Sequence, residues 1–173
     1  MTGNVRGSAR ILGSLGSADG KGVVRMEDRY STNIEDLWSA ITDPLRLARW
    51  LGEIKGDLTV GGTYHARYYA SEWEGNVRID VCEPPRRLRL INAGEHADEH
   101  VTEVTLTADG DQTILVWEAR GMPLTLRAAY GAGNQVHVED LTAYLAGRER
   151  CDAVARWHEL APAYEALATS GAH

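Results

Sequence analysis

The chain has 173 residues, 43% of them apolar and 25% charged, an ordinary composition for a globular protein large enough to bury a core without disulfides. Its net charge of −7 argues against a general role on nucleic acid or on an anionic membrane surface. Phenylalanine is absent, so Trp and Tyr must supply the aromatic bulk. Their polar atoms need partners when buried, which hints at a lined cavity as much as at a dry core.

Residues 1–8 are Gly, Ser and polar, and are expected to be disordered. Residues 10–15 read as a short extra strand. The Asp19-Gly20 turn would fold it back onto a second strand over residues 23–30. Two amphipathic helices are expected next. Thr32 and Glu35 have the spacing of a capping box, and Ile34, Leu37, Trp38 and Ile41 then follow at helical intervals. Asp43 is a good N-cap for the second helix, with Pro44 in its first turn and Leu47, Trp50 and Leu51 on its buried face. Gly52 is a plausible stop. Gly61-Gly62 permits a tight turn before Tyr64.

Strands then come in quick succession. Residues 63–70 form one and residues 73–82 the next, where Trp73, Val77, Ile79 and Val81 share one parity against Asn76, Arg78 and Asp80. Another follows the Pro84-Pro85 turn over residues 87–92, and residues 93–98 are a polar loop. Residues 99–107 alternate with Thr102, Val104 and Leu106 inward. After the Asp109-Gly110-Asp111 turn, residues 112–120 place Leu115 and Trp117 inward and Ile114 and Val116 outward. Residues 121–133 are rich in Gly and Ala. They lead to a helix with the stripe Val138, Leu141, Leu145, ended by Gly147. Further helical spacing runs through Val154, Trp157, Leu160, Ala161, Tyr164 and Leu167, with Pro162 expected to kink it or to begin a new helix.

Strands at this spacing suggest one antiparallel sheet joined by hairpins, which needs a helix to cover its apolar face. The fold class expected is α+β, with a curved antiparallel sheet wrapped around a long C-terminal helix. One domain is expected over residues 1–173, with 148–173 a C-terminal helical extension. No apolar run reaches membrane-spanning length. Arg6 and Arg10 stand near the N-terminus without the apolar stretch of a secretion signal, so a cytoplasmic location is expected. Cys82 and Cys151 have no metal spacing and are expected to be reduced thiols.

Several stretches carry the resemblance to a family. They are Thr42-Asp43-Pro44 between two helices, the second ending in Trp50, and the Asp57-to-Tyr64 turn with Gly61-Gly62. To these are added Trp73-Glu74-Gly75-Asn76-Val77, Glu83-Pro84-Pro85-Arg86-Arg87-Leu88, and the helix from Gly131 to Gly147 with His137 and Leu141. In this order they resemble the SRPBCC or START-like helix-grip superfamily. More narrowly they are similar to bacterial homologues of the heat-shock-protein-90 ATPase activator. The resemblance runs from about Gly22 to Gly147. One departure is that the family usually carries a Trp where this chain has Asn134.

Common catalytic motifs are missing. Gly20-Lys21-Gly22 lacks the rest of a phosphate-binding loop, Gly131 and Gly133 lack a third Gly and a preceding strand, and no nucleophile elbow occurs. His96 and His100 are four apart, but the stretch joins two strands, so it reads as a charged loop rather than a metal site. The residues expected to line a ligand cavity are Trp50, Tyr64, Tyr68, Trp73, Val77, Ile79, Leu115, Trp117, His137 and Leu141. No catalytic residue, metal or cofactor is assigned. The partner expected is a small hydrophobic or aromatic molecule, with homodimerisation left open. The resemblance implies two rival functions: an enzyme like the polyketide cyclases and aromatases of the superfamily, and a chaperone-regulating interaction module.

Overall fold

The computed structural model describes residues 10–70, 73–94 and 99–170. The expected disorder of residues 1–8, and His96 with most of its loop, lie outside the described residues.

A hairpin opens the fold. Strand β1 (Gly13–Ala18) pairs antiparallel with β2 (Lys21–Tyr30). Their turn residues Asp19 and Gly20 both take positive φ, 52° and 77°, the backbone that matches strand twist in a two-residue hairpin. The first strand begins three residues later than its sequence suggests. Helices α1 (Ile34–Thr42) and α2 (Pro44–Trp50) follow. Asp43 caps α2 as expected, accepting from the Leu45 N–H at 3.0 Å. The cap of α1 is Asn33, not Thr32: the Asn33 side chain accepts from Asp36 N at 2.8 Å, while the Thr32 hydroxyl donates to the Asp36 carboxylate. The capping box therefore does not form, because Asn33 is itself a strong N-cap one position nearer the helix.

The remaining strands are β3 (Gly52–Gly56), β4 (Thr63–Tyr68), β5 (Glu74–Glu83), β6 (Arg87–Gly94), β7 (His100–Asp109) and β8 (Gln112–Pro123). All eight strands join one antiparallel sheet in the order β1-β2-β8-β7-β6-β5-β4-β3. Strand β3 is unannounced in the sequence, since Gly-Glu-Ile-Lys-Gly shows neither alternation nor an apolar run. The register slips between Gly22 and Val23 and between Ile79 and Val81, and such bulges bend the strands that carry them. The second slip breaks the expected parity, leaving Val81 half-buried beyond fully buried Val77 and Ile79. Ile114 and Val116 lie on the outer face, half-covered beside Arg29 and Thr107 and beside Glu27 and Thr105.

A 3-10 turn (Leu124–Leu126) leads into the long helix α3 (Arg127–Leu145), which packs on β1, β2 and α2. It begins four residues before Gly131, inside the Gly/Ala-rich stretch that reads as a link. It ends as expected at Gly147, φ 73°. There Gly147 N donates to Tyr144 O, and Arg148 N donates to Ala143 O, in a left-handed cap. Helix α4 (Ala153–Ser170) lies against α3 and runs unbroken through Pro162. Pro162 and His158, the residue whose carbonyl loses its helical donor, are both exposed, which puts the break in the hydrogen-bond ladder on the solvent side of the helix. A curved antiparallel sheet gripping one long helix is an α+β helix-grip fold.

Candidate functional site

Between the sheet, α2 and the first half of α3 lies a cavity of about 500 Å³. The sequence of α3 makes the space. Tyr130, Gly133, Asn134 and His137 recur one turn apart and turn one face inward, and with Ala129 they line the cavity with few large side chains. The sheet contributes Tyr64 and Tyr68 from β4, Leu88, Leu90 and Asn92 from β6, His100, Thr102 and Val104 from β7, and Trp117 from β8. Trp50 closes one side, its indole donating to Ala40 O at 2.9 Å. The first two turns of α4 bring Ala153, Val154, Trp157 and His158 to the rim, where Val154 is 66% exposed.

Six rings follow one another around the wall. Trp117 stacks with His137 at 6.4 Å, His137 meets Tyr68 edge-on at 5.5 Å, and Tyr68 stacks with Trp73 at 5.1 Å. Trp73 meets His100 edge-on at 6.1 Å, and His100 meets Tyr130 at 5.3 Å. Stacked and edge-on contacts of this kind add to area burial and hold the rings in place. Burial pushes the His137 imidazole down to about 4, so it is neutral near pH 7. Burial holds the Tyr68 phenol above its ordinary range, and does the same for Tyr64 with Tyr68 beside it. These groups are uncharged, and no Asp, Glu, Lys or Arg is among the described residues of the wall.

The roof is tied down around the cavity. The Arg156 guanidinium grips both Glu139 carboxylate oxygens at 2.7 and 2.8 Å. The Tyr164 hydroxyl donates to Gln135 Oε1 and accepts from Gly13 N at 3.1 Å. Before α4, the Arg150 guanidinium sits 3.8 Å above the Tyr69 ring, whose hydroxyl donates to Ala48 O.

Of the ten residues expected to line a cavity, the fold brings six to it: Trp50, Tyr64, Tyr68, Trp73, Trp117 and His137. Val77, Ile79, Leu115 and Leu141 are not on its wall. They are 0–3% exposed and packed into the closed core. Inward parity puts a side chain on the concave face but does not say whether a neighbour covers it. His100 is not in a charged loop; it is a buried wall residue on β7, 8% exposed. Among the described residues no group of three or more His, Cys, Asp or Glu is placed to hold a metal. Cys82 and Cys151 are both free. Sequence reasoning missed His100, Tyr130 and the α4 rim. The available signal was polar Asn92 and Thr102 sharing inward parity with Leu88, Leu90 and Val104.

A helix-grip domain with a neutral aromatic cavity is the class that this geometry defines. The sequence profile described as "Activator of Hsp90 ATPase homolog 1-like protein" matches residues 31–146, and the chain belongs to that family. No curated protein matches it. The crystal structure of CalU16 from Micromonospora echinospora is similar at 26% identity and a TM-score of 0.76, covering 90% of this chain and 95% of that one. DynU16, of the dynemicin biosynthetic locus, is 27% identical with a TM-score of 0.68 over 75% of this chain, which spans 50% of DynU16. A Bordetella parapertussis protein encoded by BPP1335, 21% identical with a TM-score of 0.67 over 91% of this chain and 92% of its own, shares the fold. No helix among the described residues is long and apolar enough to cross a membrane.

Proposed function

We propose that this protein binds a small aromatic molecule in the cavity between sheet and α3, in the cytoplasm and without chemically changing it. The observation that carries the reading is the belt of six contacting rings around about 500 Å³ of uncharged space. DynU16 adds support, as a similar protein from a biosynthetic locus. A non-catalytic role is favoured by the wall itself. Its most buried imidazole is a weak base near pH 4, and no carboxylate stands among the described wall residues to pair with it.

The test is native mass spectrometry of protein purified from its own host, followed by a thermal-shift screen of flat aromatic compounds. A ligand at about a hundred times its dissociation constant should add roughly 2.7 kcal/mol to stability. Asn134→Trp, which places an indole in the cavity, should abolish the shift while leaving circular dichroism unchanged. His137→Ala should change affinity modestly. If instead it removed turnover by about a hundredfold with binding kept, the protein would be an enzyme using that imidazole. If nothing co-purifies and no compound shifts the wild type, the binding role is wrong.

A further inference from the structure

Asn92 on β6 is a buried amide, 2% exposed, with one group left over. Its Nδ2 donates to Thr102 Oγ1 at 2.9 Å and to His100 O at 3.3 Å. A backbone carbonyl can only accept, so the amide nitrogen must be the atom facing it, and both amide hydrogens are used. Asn92 Oδ1 has no partner among the described residues, although buried amide oxygens are ordinarily paired. Two phenols share this state. The Tyr64 and Tyr68 hydroxyls make no hydrogen bond among the described residues, and burial keeps both protonated at neutral pH, each with a hydrogen to donate. The unpaired side-chain atoms that are sealed from solvent belong to other residues, such as Trp117 Nε1 and Asn134 Nδ2. The oxygens of Asn92, Tyr64 and Tyr68 are therefore unpaired and open, and all three residues line the cavity.

The strand register gathers them. Tyr64 pairs with Val77 and Val77 with Asn92, which puts Tyr64 and Asn92 in one row across the sheet, about 10 Å apart at the backbone. Tyr68 follows four residues along β4 on the same face, close enough to act electrostatically on the Tyr64 phenol. This part of the wall thus offers one atom that only accepts and two hydroxyls that donate. A pure hydrocarbon would leave all three unpaired. An ether or a ketone would serve the hydroxyls and leave Asn92 without a donor. An ionised carboxylate has no hydrogen to give, and it would lose its hydration on a wall without Lys or Arg among its described residues. A neutral hydroxyl both gives a hydrogen and accepts one.

We propose that the cavity selects uncharged aromatic molecules that carry a hydroxyl group, with Asn92 Oδ1 accepting from it and the Tyr64 and Tyr68 hydroxyls donating to ligand oxygen. This rests on the aromatic-binding role proposed above, and the test separates the two. Fluorene, 2-methoxyfluorene, 2-hydroxyfluorene and fluorene-2-carboxylate share a ring system and differ in the oxygen, its hydrogen and the charge. Isothermal titration of the wild type should rank 2-hydroxyfluorene about tenfold or more tighter than fluorene, with the methyl ether and the carboxylate both weaker than 2-hydroxyfluorene. Asn92→Leu, checked for a cooperative melt, should remove the preference for the hydroxyl over the methyl ether. Tyr64→Phe and Tyr68→Phe, which each delete one oxygen, should weaken both oxygenated neutral ligands with little change for fluorene. Should Asn92→Leu not fold, the wild-type preference for hydroxyl over methyl ether still tests the acceptor. Equal wild-type affinities for fluorene and 2-hydroxyfluorene would overturn this inference while leaving aromatic binding standing. A methyl ether bound as tightly as the hydroxyl compound would overturn the role of Asn92, and unchanged ratios in both Phe variants would overturn that of the tyrosines. Tightest binding by the carboxylate would overturn the neutral-ligand selection. Failure of all four compounds to bind would refute the binding role and this inference with it.

Discussion

Gly131 offers a sharp test of how the roof is held. It lies buried in α3, and a Cβ added there would meet the Tyr164 ring at 2.6, 2.9 and 3.1 Å. Helix propensity alone makes Gly131→Ala stabilising by about 0.8–1 kcal/mol. Against this, the ring must withdraw from a site where Tyr164 is 0% exposed, and overpacking of that kind costs about 1–3 kcal/mol. Withdrawal also strains the Tyr164 hydroxyl bonds to Gln135 and Gly13, at about 1 kcal/mol each. The balance is a net loss of about 2–4 kcal/mol. For a chain of this size that lowers Tm by roughly 4–16 °C. Urea and thermal melts would measure it, and fluorene titration would show whether loosening α4 weakens the rim. Tyr164→Leu combined with Gly131→Ala should cost less than the two changes added, because the smaller side chain makes room for the methyl. An Ala variant as stable as the wild type would refute the contact, and additive losses would refute the coupling.

Asn33→Ala should cost about 1 kcal/mol and Thr32→Ala less, because Asn33 caps α1; urea midpoints showing the larger loss at Thr32 would restore the capping box. Asp43→Ala should also cost about 1 kcal/mol, and a change within error would place the α2 cap elsewhere. Because the native His137 is held near 4 against an ordinary 6.5, the unfolded chain binds the extra proton between those values. The stabilisation is therefore full above about pH 6.5 and lost as pH falls toward 4, by up to about 3 kcal/mol relative to His137→Gln. Parallel stability profiles for the two proteins would show that His137 titrates normally. Exhaustive dialysis against a chelator should leave Tm unchanged, and a fall that zinc restores would show a metal site.

The sheet was legible because its strands alternate. Thr102, Val104 and Leu106, and Leu115 and Trp117, are buried on the parity that the sequence implies. Elements lacking that signal were not legible. Gly52–Gly56 becomes a strand because β4 offers it a hydrogen-bonding edge, and residues 127–130 become helix although the neighbouring glycines weaken helix propensity. The cavity was legible by residue type and not by residue. Aromatic positions reached the wall, but Val77, Ile79, Leu115 and Leu141 went to the core, since burial against a neighbour is a tertiary fact. Rim residues on α4 could not be assigned, because nothing local relates residues 153–158 to strands that end at Pro123 or earlier.

The size of the cavity bears on what it is for. Unfilled volume in a protein core costs about 24 cal/mol per Å³. At that rate about 500 Å³ left dry would cost on the order of 12 kcal/mol, comparable to the whole stability of a typical domain. A sealed and dry space of this size is therefore excluded, and the cavity opens at the α4 rim. Val154 and His158 are exposed at the rim, and water in such a space is held well only where it finds several polar partners. Most of this wall is aromatic and aliphatic, with its polar atoms concentrated near His137, His100 and Asn92. Poorly held water is readily displaced by an apolar surface. The small residues Ala129 and Gly133 keep the space open on one face of α3, whereas Ala128, Ala132 and Val136, interleaved with them on another face, are buried. Packing therefore changes from open to closed between two faces of one helix, and the open face carries Tyr130 and His137 of the ring belt. A folding requirement alone accounts for the closed face; on the reading proposed above, the open face is kept for a flat, uncharged guest.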